Sequence, residues 1–288
     1  MDDKNTNSYV MPTESAAEMV RLIEQGRMTT SAMGGLLPEE IDLTDMQYVL
    51  DVACGPGEWA QEVAFQYPYL HVIGIDISKT MIDYARTSAQ VQYLENLTFE
   101  IMDATQPLNF PDGSFDIVNA RGMIGFLNKD YWPTIMREFA RITRPGGFIV
   151  LTEADNPGSS NAPAFETLTR FGMEALFHTG HSHHPLGNHF GITPMLGCFL
   201  SDAGCQNIQQ RAYVVDYSAG APAHQSMHEN MRVGQKLVQP LFIKLGLATQ
   251  EQLDELYDQS QAEMLSEDFR ALLYILRIWG NVGVAQKA

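Results

Sequence analysis

Cysteine, basic residues and long apolar runs are all scarce in this sequence of 288 residues. The three cysteines, Cys54, Cys198 and Cys205, are too few and too widely spaced for a disulfide framework. They suit a reducing compartment, so the expected setting is the cytoplasm. Lysine and arginine number 18 against 35 acids, a net charge of −17. Such a balance argues against binding nucleic acid through its phosphates, and it disfavours an anionic membrane surface. No apolar run is long enough to span a bilayer, and Met1-Asp2-Asp3-Lys4-Asn5 is too acidic and polar for a signal peptide. Internal repeats and low-complexity linkers are also lacking. What is present is a core: 45% of the residues are apolar, and the length suits one large α/β domain or a domain with a sizeable insertion.

The chain is organised around residues 48–60. A short apolar run, Tyr48-Val49-Leu50-Asp51, ends in a carboxylate and suits a buried parallel strand. Gly55-Pro56-Gly57-Glu58-Trp59-Ala60 then fits the pattern G-x-G-x-x-A, with Trp59, Val63 and Ala64 on one helical face. Strand, glycine turn and helix open a nucleotide-binding βαβ unit, in which glycine lets the backbone approach a ligand closely. A purely structural glycine turn is the plainer alternative. His71-Val72-Ile73-Gly74-Ile75-Asp76 reads as a second strand, and an acid at its end can accept hydrogen bonds from ribose hydroxyls. That feature serves NAD and S-adenosylmethionine equally.

The remaining punctuation predicts alternating strands and helices, hence a parallel sheet covered on both faces. Residues 1–8 are polar and suit a mobile terminus. Thr13 is the expected cap of a first helix bearing Met19, Leu22 and Ile23, with Gly26 its expected stop and 29–38 a loop. Ser78 caps a helix after strand two. Strands three and four span 97–102 and 115–120, and the latter delivers Asn119, Arg121 and Gly122 to the crevice at the strand ends. A helix over 131–143, stopped by Pro145-Gly146-Gly147, leads to strand five at 148–153. Residues 155–162 read as a loop, 164–177 and 193–203 as helices, and 206–218 as strand six. Two more helices are expected over 223–245 and 249–265. Residues 272–280 suit a buried strand, with a helix over 267–279 as the competing reading.

Four stretches in order carry a family resemblance. Asp51-x-Ala53-x-Gly55-x-Gly57 resembles motif I of the class I S-adenosylmethionine-dependent methyltransferases. Gly74-Ile75-Asp76-Ile77-Ser78 resembles their ribose-binding acidic end. Phe99-Glu100-Ile101-Met102-Asp103-Ala104 resembles the strand whose terminal Asp meets the adenine amino group, and Arg144-Pro145-Gly146-Gly147 resembles the turn before their fifth strand. The resemblance covers residues 46–153 well and looks closest to the UbiE-like small-molecule methyltransferases. It implies a Rossmann-like doubly wound α/β sheet of seven strands, the last antiparallel, with helical lid insertions. The implied layout is a helical cap at 1–45, a cofactor-binding domain at 46–220 and 266–288, and a helical insertion at 221–265 forming part of a substrate lid. The implied cofactor is S-adenosylmethionine, with S-adenosylhomocysteine as product. Its implied binding residues are Asp51, Ala53, Gly55, Gly57, Asp76, Ile77, Met81, Asp103, Ala104, Asn119 and Arg121.

The implied reaction is in-line transfer of methyl to O, N, C or S of a small, partly apolar acceptor; homodimer formation is left open. Five histidines between His178 and His189 have the right pKa range for a base, and His189 and Arg121 are the catalytic candidates. Arg121 can bind a carboxylate of acceptor or cofactor, or serve in a plain salt bridge. The H-x-x-H-x-H-H spacing is not that of a helical zinc site, so no metal is expected; a polar loop over the pocket fits better. Two other readings stand beside this one: a protein that binds S-adenosylmethionine without transferring methyl, and a nicotinamide-dependent oxidoreductase.

Overall fold

The computed structural model describes residues 15–283. Thr13 and residues 1–8 lie outside that range. The first helix, α1 (Ala16–Ala32), is capped instead by Ser15, whose hydroxyl accepts from the Glu18 N–H at 3.0 Å. Gly26 does not stop it. A Cβ there would sit 2.2 Å from Glu58 Oε2, so Gly26 is a point of close approach inside a continuing helix. The expected loop at 29–38 is accordingly helical as far as Ala32.

Then follow β1 (Tyr48–Val52), α2 (Glu58–Gln66), β2 (His71–Asp76), α3 (Lys79–Val91), β3 (Leu97–Ile101) and β4 (Phe115–Arg121). Next come α4 (Trp132–Ile142), β5 (Thr143–Ala154), the two-residue β6 (Ser159–Ser160), α5 (Pro163–His178), α6 (Leu196–Asp202) and β7 (Cys205–Asp216). The chain closes with α7 (His224–Leu237), α8 (Gln239–Lys244), α9 (Gln250–Met264) and β8 (Ala271–Val282). The sheet order is β3-β2-β1-β4-β5-β8, with β7 pairing outside β8 and β6 pairing to one end of β8. The pairs from β3 to β5 are parallel, while β8 runs antiparallel to both β5 and β7. The doubly wound sheet with an antiparallel last strand is thus present. The short β6 makes eight strands rather than seven, because Ser159 and Ser160 pair with Leu272 and Ala271.

Strand alternation builds two cores, one on each face. Leu50, Val52, Val118, Ala120, Ile149 and Leu151 pack with Trp132, Phe139, Leu196 and Leu200 from α4 and α6. Val49, Ile117 and Val150 pack on the other side with Trp59, Val63 and Ile82 from α2 and α3. A third cluster lies between α1, α5, β8 and the inserted helices, around Phe165, Tyr217, Met227 and Phe269.

Two further expectations are corrected. Pro145-Gly146-Gly147 does not stop α4; the helix ends at Ile142, and β5 starts at Thr143 and carries these residues across a register shift against Phe115 and Ile117. The helix expected over 223–245 divides at Val238, because Pro240 in the first turn of α8 lacks an N–H for the preceding turn. Among the described residues no helix is long and apolar enough to cross a membrane.

Candidate functional site

The chain passes from β1 outward to β2 and β3, then returns to place β4 on the other side of β1. This reversal leaves a crevice at the C-terminal ends of the parallel strands, where open α/β sheets bind ligands. A cavity of about 480 Å³ occupies it. Its floor is the sheet end, and its roof comes from α1, α5, α7 and α8.

The turn after β1 has an unusual backbone. Ala53, Gly55 and Gly57 all have positive φ, at 54°, 54° and 77°. The two glycines face different neighbours. A Cβ on Gly55 would meet nothing closer than Leu22 Cδ1 at 3.9 Å, and Gly55 lies on the cavity wall. A Cβ on Gly57 would lie 2.5 Å from the Phe99 ring, which also fills the space over Gly74. Gly55 therefore opens the turn to the cavity, while Gly57 lets the turn pack on β3.

Asp76 ties the turn to the end of β2. Its Oδ2 accepts from the Gly55 N–H at 2.9 Å and its Oδ1 from the Ser78 N–H at 2.8 Å. Burial holds its pKa above the ordinary carboxylate value, opposed by the amides of Ser78, Gly55 and Ile77. Ile77, Met81, Asp103 and Ala104 continue the wall. Asp103 follows β3 by two residues, and its Oδ1 accepts from the Thr105 N–H and hydroxyl at 2.9 and 2.7 Å.

Asp51 is buried at the floor and accepts from Asn119 Nδ2 at 2.8 Å. Burial pushes its pKa up to about 7, against the opposing influence of Arg121 and Asn119. Arg121 donates to Thr30 Oγ1 and to Glu58 Oε2, both at 3.1 Å, so it joins β4 to α1 and α2. Glu58 is raised by burial and lowered by Arg121, and its Oε1 is buried with no hydrogen-bond partner. Of the sequence-derived binding residues, Asn119 and Gly57 stand behind the cavity wall rather than on it.

The raised Asp51 sets a pH dependence. From 3.8, its ordinary value, to about 7, the unfolded chain has released a proton that the native protein retains. Native stability from this group is therefore complete below that window and is lost as pH rises through it. Asp51→Asn keeps an acceptor for Asn119 and removes the titration. In urea unfolding of the ligand-free proteins, the wild type is expected to lose stability relative to the variant between about pH 4 and 7. Parallel pH profiles would show that Asp51 is not the source.

The histidines lie elsewhere. No described residue on the cavity wall is a histidine; the 178–193 segment contributes Phe190 alone. His184 Nδ1 accepts from the Leu186 and Asn188 N–H groups, and the His189 ring packs edge-on to His184 at 5.5 Å. His183 packs against Trp132 and Phe199, and burial lowers its pKa. The segment folds on itself and inserts Ile192 into the core beside α4 and α6, which draws its rings off the site. His189 is thus not placed to act as a base in this cavity. Among the described residues no group of three His, Cys, Asp or Glu is arranged to hold a metal.

Glu58 and Glu153 also lie on the cavity wall, and neither stood out in the sequence; Glu153 is the more deeply buried. It lies next to the last residue of β5, is 1% exposed, and its Oε1 accepts from the Met123 N–H at 2.6 Å. Its Oε2 is buried without a partner, as is the neighbouring Thr152 hydroxyl. The available signal was the one that marked Asp51 and Asp76, an acid ending an apolar strand.

The family described as "Methyltransferase domain" matches residues 49–147. The chain is 32% identical over 117 residues to a demethylmenaquinone methyltransferase of Lactococcus lactis, covering 40% of this chain and 45% of that one. It is 31% identical over 160 residues to phosphoethanolamine N-methyltransferase 1 of Arabidopsis thaliana, covering 54% and 31%. The matches thus span less than half the length of these relatives. In fold, it is similar to Haemonchus contortus phosphoethanolamine N-methyltransferase 2 in complex with phosphomonomethylethanolamine and S-adenosylhomocysteine. That likeness has a TM-score of 0.56 at 16% identity, covering 94% of this chain and 58% of that one. Residues 49–147 thus match a methyltransferase domain, and the same part of the chain is similar in sequence to demethylmenaquinone and phosphoethanolamine methyltransferases.

Proposed function

We propose that the protein transfers the methyl group of S-adenosylmethionine to a small, largely apolar acceptor. The observation that carries this reading is a single cavity that joins the Gly55 turn, Asp76 and Asp103 to an apolar chamber formed by residues such as Leu168, Leu176, Met227 and Phe242. The wall fits the cofactor at each end. Gly55 leaves room for close approach, Asp76 offers carboxylate oxygens to ribose hydroxyls, and Asp103 has an oxygen for the adenine amino group. Glu58 Oε1 is an unpartnered acceptor beside Arg121, a pairing suited to an amino-acid end group. Bound S-adenosylmethionine supplies an already activated methyl group, so the chain's task is orientation, proximity and exclusion of water.

In this reading α1 and the 221–265 insertion are the lid. Arg21 of α1 grips Glu18 and donates to Asn230 of α7 at 2.9 Å, which links the two parts of the roof. The three cysteines are free, which supports a cytoplasmic setting. Binding without transfer, or use of a nicotinamide, has no residue of the site in its favour over this reading.

Calorimetric titration with S-adenosylhomocysteine and with NADH tests the proposal, and hydrogen exchange on the same samples tests the lid. Saturable binding of S-adenosylhomocysteine alone is expected, with protection gained in α1 and α7 and little change over 178–193. Binding of NADH in its place would reject the cofactor assignment, and unaltered exchange in α1 and α7 would reject the lid.

A further inference from the structure

We infer that Glu153 accepts the proton of the methyl acceptor, and that the acceptor is an uncharged apolar molecule presenting an ionisable hydroxyl to Glu153 Oε2. This rests on the methyltransferase reading above and adds a residue and an acceptor chemistry to it.

Three observations carry the inference. First, Glu153 is anchored at one oxygen only. Its Oε1 takes the Met123 N–H at the start of the 3₁₀ turn Met123–Gly125, while Oε2 is buried and unpartnered on a residue of the cavity wall. A buried carboxyl oxygen without a partner is costly, and a ligand hydroxyl removes that cost. Second, the rest of the chamber, from α5, α7, α8 and β8, is mainly apolar, and its amides Asn230 and Gln235 are already bonded to Arg21 and Ser260. Third, the arginines among the described wall residues are Arg21 and Arg121, and both are already engaged, Arg21 by Glu18 and Arg121 by Glu58. A phosphate- or carboxylate-bearing acceptor would have to break one of these buried pairs.

Burial also pushes the Glu153 pKa up to about 8, opposed by the amides of Met123 and Ile124. Arg121 and Arg277 on the neighbouring strands both pair in register with Thr152, and so project from the other face of the sheet. The segment packed on Glu153's own face brings His183, against Trp132 and Phe199 of the same core, and Asp155 leaves from the strand end. In the proposed step the acceptor O–H bond breaks, its electron pair stays on the acceptor, and the proton bonds to Oε2. A positioned base of this kind is worth roughly 10²–10⁴ in rate.

The test uses 2-naphthol and its methyl ether, 2-methoxynaphthalene, which differ by the hydroxyl proton. Binding is followed by fluorescence with S-adenosylhomocysteine present, one pH unit below and above the Glu153 titration. The wild type is expected to prefer the naphthol at the higher pH by roughly ten- to hundredfold, the worth of one hydrogen bond to a charged group. The preference should shrink at the lower pH. Glu153→Gln keeps an oxygen for Met123 and should abolish the preference with little change in melting. Should that variant not fold, the wild-type preference and its pH dependence still decide. A wild type with no preference, binding neither probe or both alike, overturns the inference, as does a preference that survives in Glu153→Gln. Saturable binding of phosphoethanolamine overturns the acceptor class. If S-adenosylhomocysteine itself fails to bind, the methyltransferase reading falls and takes this inference with it; if it binds normally and only the naphthol arm fails, the inference alone is lost.

Discussion

Gly57→Val will melt well below Gly55→Val, although the two glycines are two residues apart and share a left-handed backbone. At Gly57, φ is 77° and a Cβ would stand 2.5 Å from the Phe99 ring and 3.0 Å from the Ala85 methyl. A left-handed L-residue costs roughly 1–2 kcal/mol, and overpacking a filled core costs about 1–3 kcal/mol more. The sum is a large part of the roughly 5–15 kcal/mol that typically holds a domain together. At Gly55 the backbone cost is similar, but the nearest atom is Leu22 Cδ1 at 3.9 Å. A valine side chain introduced there projects into the cavity, so that variant should keep a melting transition near the wild type and lose binding of S-adenosylhomocysteine. Adding Phe99→Ala to Gly57→Val should restore part of the loss, because the clash is with that ring. Thermal melts of the wild type, the two valine variants and the double variant, with calorimetry on those that fold, check this. Equal melting of the two valine variants would mean that Phe99 yields freely and that Gly57 has no packing role.

Asp76→Ala should weaken S-adenosylhomocysteine binding by at least about tenfold, and by about a hundredfold if both ribose contacts are lost, with the fold intact. A hydrogen bond to a charged group contributes about 1.5–3 kcal/mol, and a carboxylate can accept two ribose hydroxyls. The structure adds a second loss. Asp76 also holds the Gly55 N–H at 2.9 Å and the Ser78 N–H at 2.8 Å, so its removal frees the turn that lines the cavity. Stability should change less than affinity, since burial already raises the cost of this charge in the native state. Calorimetry and melting on the same preparation separate the two effects. Unchanged affinity would remove Asp76 from the binding site, and a collapse in melting without loss of affinity per folded molecule would make it a structural tie alone.

These expectations divide by where their information resides. The strands were legible because each is a local apolar run closed by a turn: 48–51, 71–76, 115–120 and 272–280 all fall within strands of the sheet. The acids Asp51 and Asp76 were legible for the same reason, since a carboxylate ending such a run stands at the crevice whatever the helices do. Other features depend on residues far apart in the chain. Gly26 reads as a helix stop until Glu58 is placed against it, and α1 then runs on to Ala32. Gly55 and Gly57 are alike in sequence, and only the position of Phe99 makes one a cavity-wall residue and the other a packing contact. The histidines at 178–189 look catalytic by composition, yet Ile192 draws their segment into the core beside α4 and α6. Glu153 looks like any strand-end acid, and its unpartnered oxygen and raised pKa arise only when β8 and the Met123–Gly125 turn close around it. Local periodicity is written in neighbouring residues, so the sequence by itself determined the order of the sheet elements and the acids at their ends. Burial and close approach are set by groups that meet only in three dimensions, so the tertiary structure decided which of those groups face the cavity and what each can do there.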